Sequence, residues 1–207
     1  MNTLEIFLST LGFSWTIAKA LPYVIFIGLG SVAAFIFLKK SNMKKKLRLF
    51  ISFIILVLPF AFYFLFSPIY QGDFSNKSFR ISEPSSFPKA KQLTVYVLSN
   101  CPYCIQATTL LKNMLFHNKR IHLEIKVIGN HMNDKIKYQR LINQLGDVSL
   151  YKKSDSLVRE PIKVMLKLTK GEFPTYVLSE NDQAKKAWHN DSFGVRAMDE
   201  VDQFFRK

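Results

Sequence analysis

Two uncharged apolar runs constrain this chain more than any other feature: residues 20–38 (ALPYVIFIGLGSVAAFIFL) and residues 49–67 (LFISFIILVLPFAFYFLFS). Each is 19 residues long, about what a helix needs to cross the hydrocarbon core of a bilayer. Neither shows the polar face that a surface helix of a soluble protein carries. That sets a two-helix transmembrane anchor above a buried core hairpin. Gly28, Gly30 and Pro59 fit this reading, because Gly and Pro are more frequent in membrane helices than in soluble ones.

Between the runs, residues 39–48 (KKSNMKKKLR) hold six positive charges and no acid. Short loops rich in Lys and Arg stay in the cytoplasm, so both chain ends are expected on the other side. Residues 1–19 read as an amphipathic segment, with Leu4, Phe7, Leu8 and Leu11 at helical spacing, lying along the outer interface. No basic stretch precedes the first run and no small-residue cleavage site follows it, so a cleaved signal peptide is not expected. Residues 71–88, rich in Ser, Pro and Asn, read as a linker that holds a domain off the bilayer. Residues 89–207 are then the folded domain.

Lys and Arg outnumber Asp and Glu by 29 to 15, which raises the question of nucleic acid. The first 72 residues carry seven of the basic residues against one acid, Glu5, and the remainder carries 22 against 14. The remaining basic residues are scattered, with no Arg-rich run, so a nucleic-acid partner is set aside.

Within residues 89–207, LTVYVL at 93–98 reads as a buried strand, followed by a helix over 101–117 with Ala107, Leu110, Leu111, Met114 and Leu115 on one face. Residues 121–128 alternate with period two as a second strand. Residues 133–145 predict a helix, with Ile136, Tyr138, Leu141, Ile142 and Leu145 apolar. Residues 147–160 read as a loop, either a substrate-recognition insert or a solvated connection. Residues 161–169 fit a strand or a helix. Residues 174–178 and 186–189 predict two further strands, with Trp188 in the core, and 195–205 a closing helix.

The two cysteines, Cys101 and Cys104, are three positions apart at the predicted strand-to-helix junction. A disulfide closing so short a ring removes little chain entropy. A structural zinc site wants four ligands, and His117, His122, His131 and His189 show no paired spacing. No metal site is therefore assigned. Free N–H groups and the dipole at a helix start stabilise a thiolate. The pattern thus points to thiol–disulfide exchange, with Cys101 as nucleophile and Cys104, one turn on, as resolving thiol. Pro102 suits the first helical position. Tyr103, between the cysteines, is expected to be exposed and to touch substrate or to be neutral.

The stretch Val95 to Cys104, ending in Cys-Pro-Tyr-Cys, resembles the thioredoxin superfamily and most of all its glutaredoxins. The resemblance covers the domain from about residue 89 onward. It implies an α/β, thioredoxin-like fold (a central mixed sheet flanked by helices) behind the anchor. It also implies a cis-proline opposite the cysteines, which Pro174 in Glu172-Phe173-Pro174-Thr175 matches, with Phe173 either lining the substrate groove or packing. Glutaredoxins hold glutathione with Thr-Val before this proline and a Gly-Gly and Asp after the next strand. Glu172-Phe173 and Ser179-Glu180-Asn181-Asp182 stand there instead, which argues against glutathione. No dissociable cofactor is needed.

The combined expectation is an inner-membrane thiol–disulfide oxidoreductase, its domain facing the periplasm or cell exterior. It would act on thiols and disulfides of exported proteins and exchange electrons with a membrane or soluble redox partner. Its rivals are a cytoplasmic glutaredoxin-like reductase and a non-enzymatic copper-handling or docking module.

Overall fold

The computed structural model describes residues 2–70, 72–75, 77–79, 89–129, 131–142, 145–151 and 172–206. The chain divides into two units, Met1–Tyr70 and Gln71–Lys207.

The first unit is three helices. α1 (Thr3–Thr10) begins with a capping box: Asn2 Oδ1 accepts the Glu5 N–H at 2.9 Å, and Glu5 Oε2 accepts the Asn2 N–H at 3.0 Å. α2 (Trp15–Lys40) starts at the Ser14 cap, five residues earlier than the apolar run, and so takes in Lys19. α3 (Lys45–Phe66) follows a short basic turn. At about 1.5 Å per residue, both long helices exceed the roughly 30 Å hydrocarbon core, and both are apolar enough to cross a membrane. They pack closely at Gly30, where a Cβ would strike the Leu56 carbonyl; small residues permit such close approach between membrane helices. Their outward faces carry Leu29, Phe35, Phe50, Phe53 and Leu58, all exposed.

The apolar face of residues 1–19 does not face the rest of the unit. Phe7 and Leu11 point outward, while Glu5 and Ser9 are buried. Glu5 Oε1 lies 3.3 Å from Lys19 Nζ and accepts hydrogen bonds from Tyr63 (3.3 Å) and Ser67. Lys19 also donates to Ser67 Oγ at 3.4 Å and to the Pro68 carbonyl at 3.2 Å. A buried charge needs such partners, since the alternative is several kcal/mol of unmet desolvation.

The second unit is built on a five-stranded sheet. Its elements are β1 (Gln92–Leu98), α4 (Pro102–His117), β2 (Leu123–Ile128), α5 (Met132–Leu141), β3 (Asp147–Tyr151), β4 (Thr175–Glu180), β5 (Gln183–His189), a 3₁₀ turn (Asn190–Ser192) and α6 (Val195–Arg206). The order is β3-β2-β1-β4-β5. β1 runs parallel to β2 (Val95 opposite Ile125) and antiparallel to β4 (Val95 opposite Tyr176). β4 and β5 form a hairpin through Asn181 (φ 54°) and Asp182 (φ 62°). Two successive positive φ values suit a two-residue type I′ turn. Central β1 is buried along Leu93–Val97, as a strand covered on both faces should be. Met114 of α4 and Met198 and Val201 of α6 are buried with it. Phe193 stacks on Tyr176 at 3.6 Å and meets Trp188 edge-on at 5.7 Å. The edge-on contact is a favoured aromatic arrangement, and Trp188 is core as expected. The fold is thioredoxin-like: parallel β1 and β2, an antiparallel β4–β5 pair, and α4 leaving the carboxyl end of central β1.

Three expectations change. Residues 147–151, read as loop, are an edge strand: β3 pairs in parallel with β2, buries Val148, and links Ser149 Oγ to Glu124 at 2.9 Å. Residues 133–145 are helical only to Leu141, and Ile136 and Leu145 are exposed. Part of the stretch read as linker lies on the sheet: Phe79 exchanges two backbone hydrogen bonds with Ala187 (2.8 and 2.9 Å), and the Asp73 carbonyl accepts the Arg196 N–H at 3.2 Å. Residues 152–171, which include the ambiguous 161–169 stretch, lie outside the described residues.

Candidate active site

β1 ends at Leu98, and the turn Ser99–Asn100 hands the chain to α4 with Cys101 as its N-cap (φ −87°, ψ 115°) and Pro102 at the first helical position. The Cys101 Sγ accepts the Cys104 N–H at 3.2 Å. It takes the place of the usual capping oxygen. A helix N-terminus directed at a sulfur in this way stabilises negative charge on it. Cys101 is partly exposed and Cys104 is fully buried. Both are free thiols.

Burial, and next the hydrogen bond with Cys101, push the Cys104 thiol up to about 12; backbone hydrogen bonds from Leu98 and from Cys104 itself pull weakly the other way. Burial acts in this direction because it penalises the charged form. Cys104 therefore stays protonated at neutral pH while Cys101 faces solvent. The two sulfurs differ by environment alone, and that division suits one to attack and the other to wait.

The Phe173–Pro174 peptide bond is cis and precedes β4. The Phe173 carbonyl oxygen lies 3.9 Å from Cys101 Sγ. Pro174 is buried, and Phe173 is half-buried against the cluster of Tyr96, Ile128, Val177, Ala184 and Ala187. The structure thus gathers Cys101, Cys104 and the Phe173–Pro174 bond in one place. Phe173 packs into the core through its ring and meets Cys101 through its backbone. Tyr103 is 60 % exposed.

Two α5 residues join the site that the sequence reading passed over. Tyr138, read as an apolar helix position, is fully buried, and its hydroxyl donates to the Leu98 carbonyl at 2.9 Å. That same carbonyl accepts the Cys101 N–H at 3.4 Å, so Tyr138 braces the turn that presents Cys101. Burial, with the nearby Cys104 and Cys101 sulfurs, pushes the Tyr138 phenol above its ordinary range. Asp134, one helical turn earlier, lines a cleft of ≈ 350 Å³ beside Cys101, together with Ser99, Asn100, Gly129 and His131. The i, i+4 spacing of Asp134 and Tyr138 was the available signal.

One cluster among the described residues has metal-ligand spacing: Glu172, His189 and Asp191, with ligand atoms within 4.8 Å of one another. His189 Nδ1 sits 2.9 Å from Glu172 Oε2 and already accepts the Asp191 N–H at 3.2 Å. The close approach of Glu172 and His189 joins the proline loop to the end of β5, and no metal is assigned to it.

No protein-family model and no curated protein matches the chain. Among solved structures, it is similar to a secreted disulfide oxidoreductase of Mycobacterium tuberculosis (12 % identity, 56 % of this chain and 80 % of that one, TM-score 0.40). A second is the thioredoxin domain of a thiol-disulfide oxidoreductase from Bacteroides vulgatus (14 %, 55 % and 80 %, TM-score 0.43). A third is a putative thioredoxin from Neisseria meningitidis (13 %, 63 % and 89 %, TM-score 0.43).

Proposed function

We propose that this protein is a membrane-anchored thiol–disulfide oxidoreductase that acts on cysteines of exported proteins. The observation that carries the reading is the pairing of a half-exposed Cys101 sulfur on a helix N-terminus with a buried, protonated Cys104 one turn away. The Cys101 thiolate attacks one sulfur of a substrate disulfide, and the S–S bond breaks as the mixed disulfide forms. The leaving sulfur takes up a proton. Cys104 then gives up its proton and attacks Cys101 Sγ, releasing the second substrate thiol. Two electrons and two protons pass from the cysteine pair to the substrate, and the reverse sequence oxidises a dithiol. The Phe173 carbonyl and Pro174 border the approach to Cys101, where a substrate strand would lie. The pair itself carries the electrons, so no dissociable cofactor takes part.

The two long apolar helices support anchoring. The basic turn between them supports a cytoplasmic loop with the domain outside. A membrane-impermeant maleimide should label Cys101 in intact spheroplasts. Protection of Cys101 there, with labelling only after lysis, moves the domain to the cytoplasm and favours a glutaredoxin-like reductase. Cys101→Ser should abolish dithiol turnover, with a loss of about a thousandfold or more; retained turnover would sink the assignment. The reduction potential gives the direction. About −120 mV marks a disulfide donor, and about −270 mV a reductant. A missing reversible couple favours copper handling or docking.

A further inference from the structure

We propose that the cleft beside Cys101 is a subsite for a positively charged group flanking the substrate's reactive sulfur, with Asp134 as the residue that recognises it. This rests on the redox reading above and deepens it to a substrate class: disulfides whose cysteine neighbours a Lys or Arg side chain.

The cleft, ≈ 350 Å³, opens directly against the nucleophile. Its floor is Gly129, and the Asp134 carboxylate lies over that floor: a Cβ on Gly129 would stand 2.7 Å from Asp134 Oδ2. Glycine leaves the carboxylate free to stand where it does; a larger residue at 129 would require it to shift. Among the described residues the Asp134 side chain has no hydrogen-bond or ion-pair partner, although it is half-buried. The α5 N-terminus favours this carboxylate in the first turn of the helix, and its free hydrogen-bond acceptor capacity suits a ligand cation. The basic residues Lys137 and Arg140 of the same helix line a different surface, with Asn133 and Ile136. His131 also lines the cleft. The other acid near the nucleophile, Glu172, is already engaged by His189 at 2.9 Å. Asp134 is thus the acid that lines this cleft beside Cys101, in a chain whose net charge is +14. Such local complementarity discriminates between partners more than it adds raw affinity. It also disfavours glutathione disulfide, which brings carboxylates to the same place.

The test uses the reduced full-length protein in detergent at about pH 7.5, where ordinary carboxylates are ionised. Single-turnover rates are measured with cystamine (cationic), 2-hydroxyethyl disulfide (neutral) and oxidised glutathione (anionic). The readout is the ratio of cystamine to 2-hydroxyethyl disulfide rates, which cancels structural loss common to both. Asp134→Asn should lower that ratio about fivefold, the size of a partly screened ion pair, and Asp134→Lys should raise the relative rate of glutathione disulfide. The wild-type ratio should also fall as ionic strength rises, which decides the matter if a variant fails to fold. A ratio unmoved by Asp134→Asn and by salt overturns the subsite and leaves the redox reading standing. No reaction of the wild type with any of the three disulfides overturns the redox reading, and the subsite with it.

Discussion

In the N-terminal unit Glu5, Lys19 and Ser67 are buried while Phe35, Phe53 and Leu58 are exposed. In the C-terminal unit Val95, Ile125 and Met198 are buried, and Lys91 and Lys186 meet Glu180 and Glu200 on a partly exposed surface. One chain therefore carries two opposite sorting rules. The second is the ordinary rule of a domain folding in water. The first is what an apolar solvent imposes, where side chains such as Phe gain nothing from burial and polar groups must satisfy one another. The contrast also separates two uses of a buried ionisable group. Glu5 is buried as a partnered charge. Cys104 is buried as a neutral thiol, which the proposed exchange would have to ionise.

The largest expected way to break this comparison is Glu5→Leu. It leaves the buried Lys19 ammonium with only the neutral acceptors of Ser67 and Pro68 and should cost about 3–5 kcal/mol of stability in the helical unit. Glu5→Leu combined with Lys19→Leu should recover most of that loss. Thermal unfolding of the full chain in detergent reads both, and equal losses in the single and double variants would show that the pair is not a unit. The C-terminal counterpart is a pH effect. The folded pKa of Cys104 is raised, from an ordinary value near 9 to about 12. Its contribution to stability is thus complete below about pH 9 and lost as pH rises from there towards 12. The urea midpoint of the reduced protein should fall across this window, and should fall less in Cys104→Ala; identical pH dependence in the two would remove the burial argument. The smallest effect is Tyr138→Phe, which deletes one buried hydroxyl and leaves the Leu98 carbonyl with the Cys101 N–H alone. A loss of about 1 kcal/mol of domain stability is expected, together with slower alkylation of Cys101 as its turn loosens. No change in either would reduce Tyr138 to packing.

The cysteine pair, its place at a strand-to-helix junction and the two apolar helices were legible because each is written in a short run of consecutive residues. The antiparallel partner strand at 175–180 and the closing helix were legible for the same reason. β3 was not. Asp147-Val148-Ser149-Leu150-Tyr151 is short and half polar, and it becomes a strand only because β2 offers it an unpaired edge. In residues 1–19 the apolar face was legible, and Phe7 and Leu11 turn outward; the burial of Glu5 against Lys19 was not, because it depends on how the helices pack.

By itself the sequence determined the chemistry available to this protein, a dithiol capped onto a helix and two helices that suit a membrane, because helix periodicity, caps and Cys-x-x-Cys spacing are properties of neighbouring residues. Only the tertiary structure decided which thiol is buried. It alone placed the Phe173 carbonyl against Cys101, Tyr138 under Leu98, Asp134 in the adjoining cleft, and Glu5 against Lys19. The physical reason is that burial and electrostatic pairing depend on distance in space, and these partners, far apart along the chain, are brought within a few ångströms only by strand pairing and helix packing.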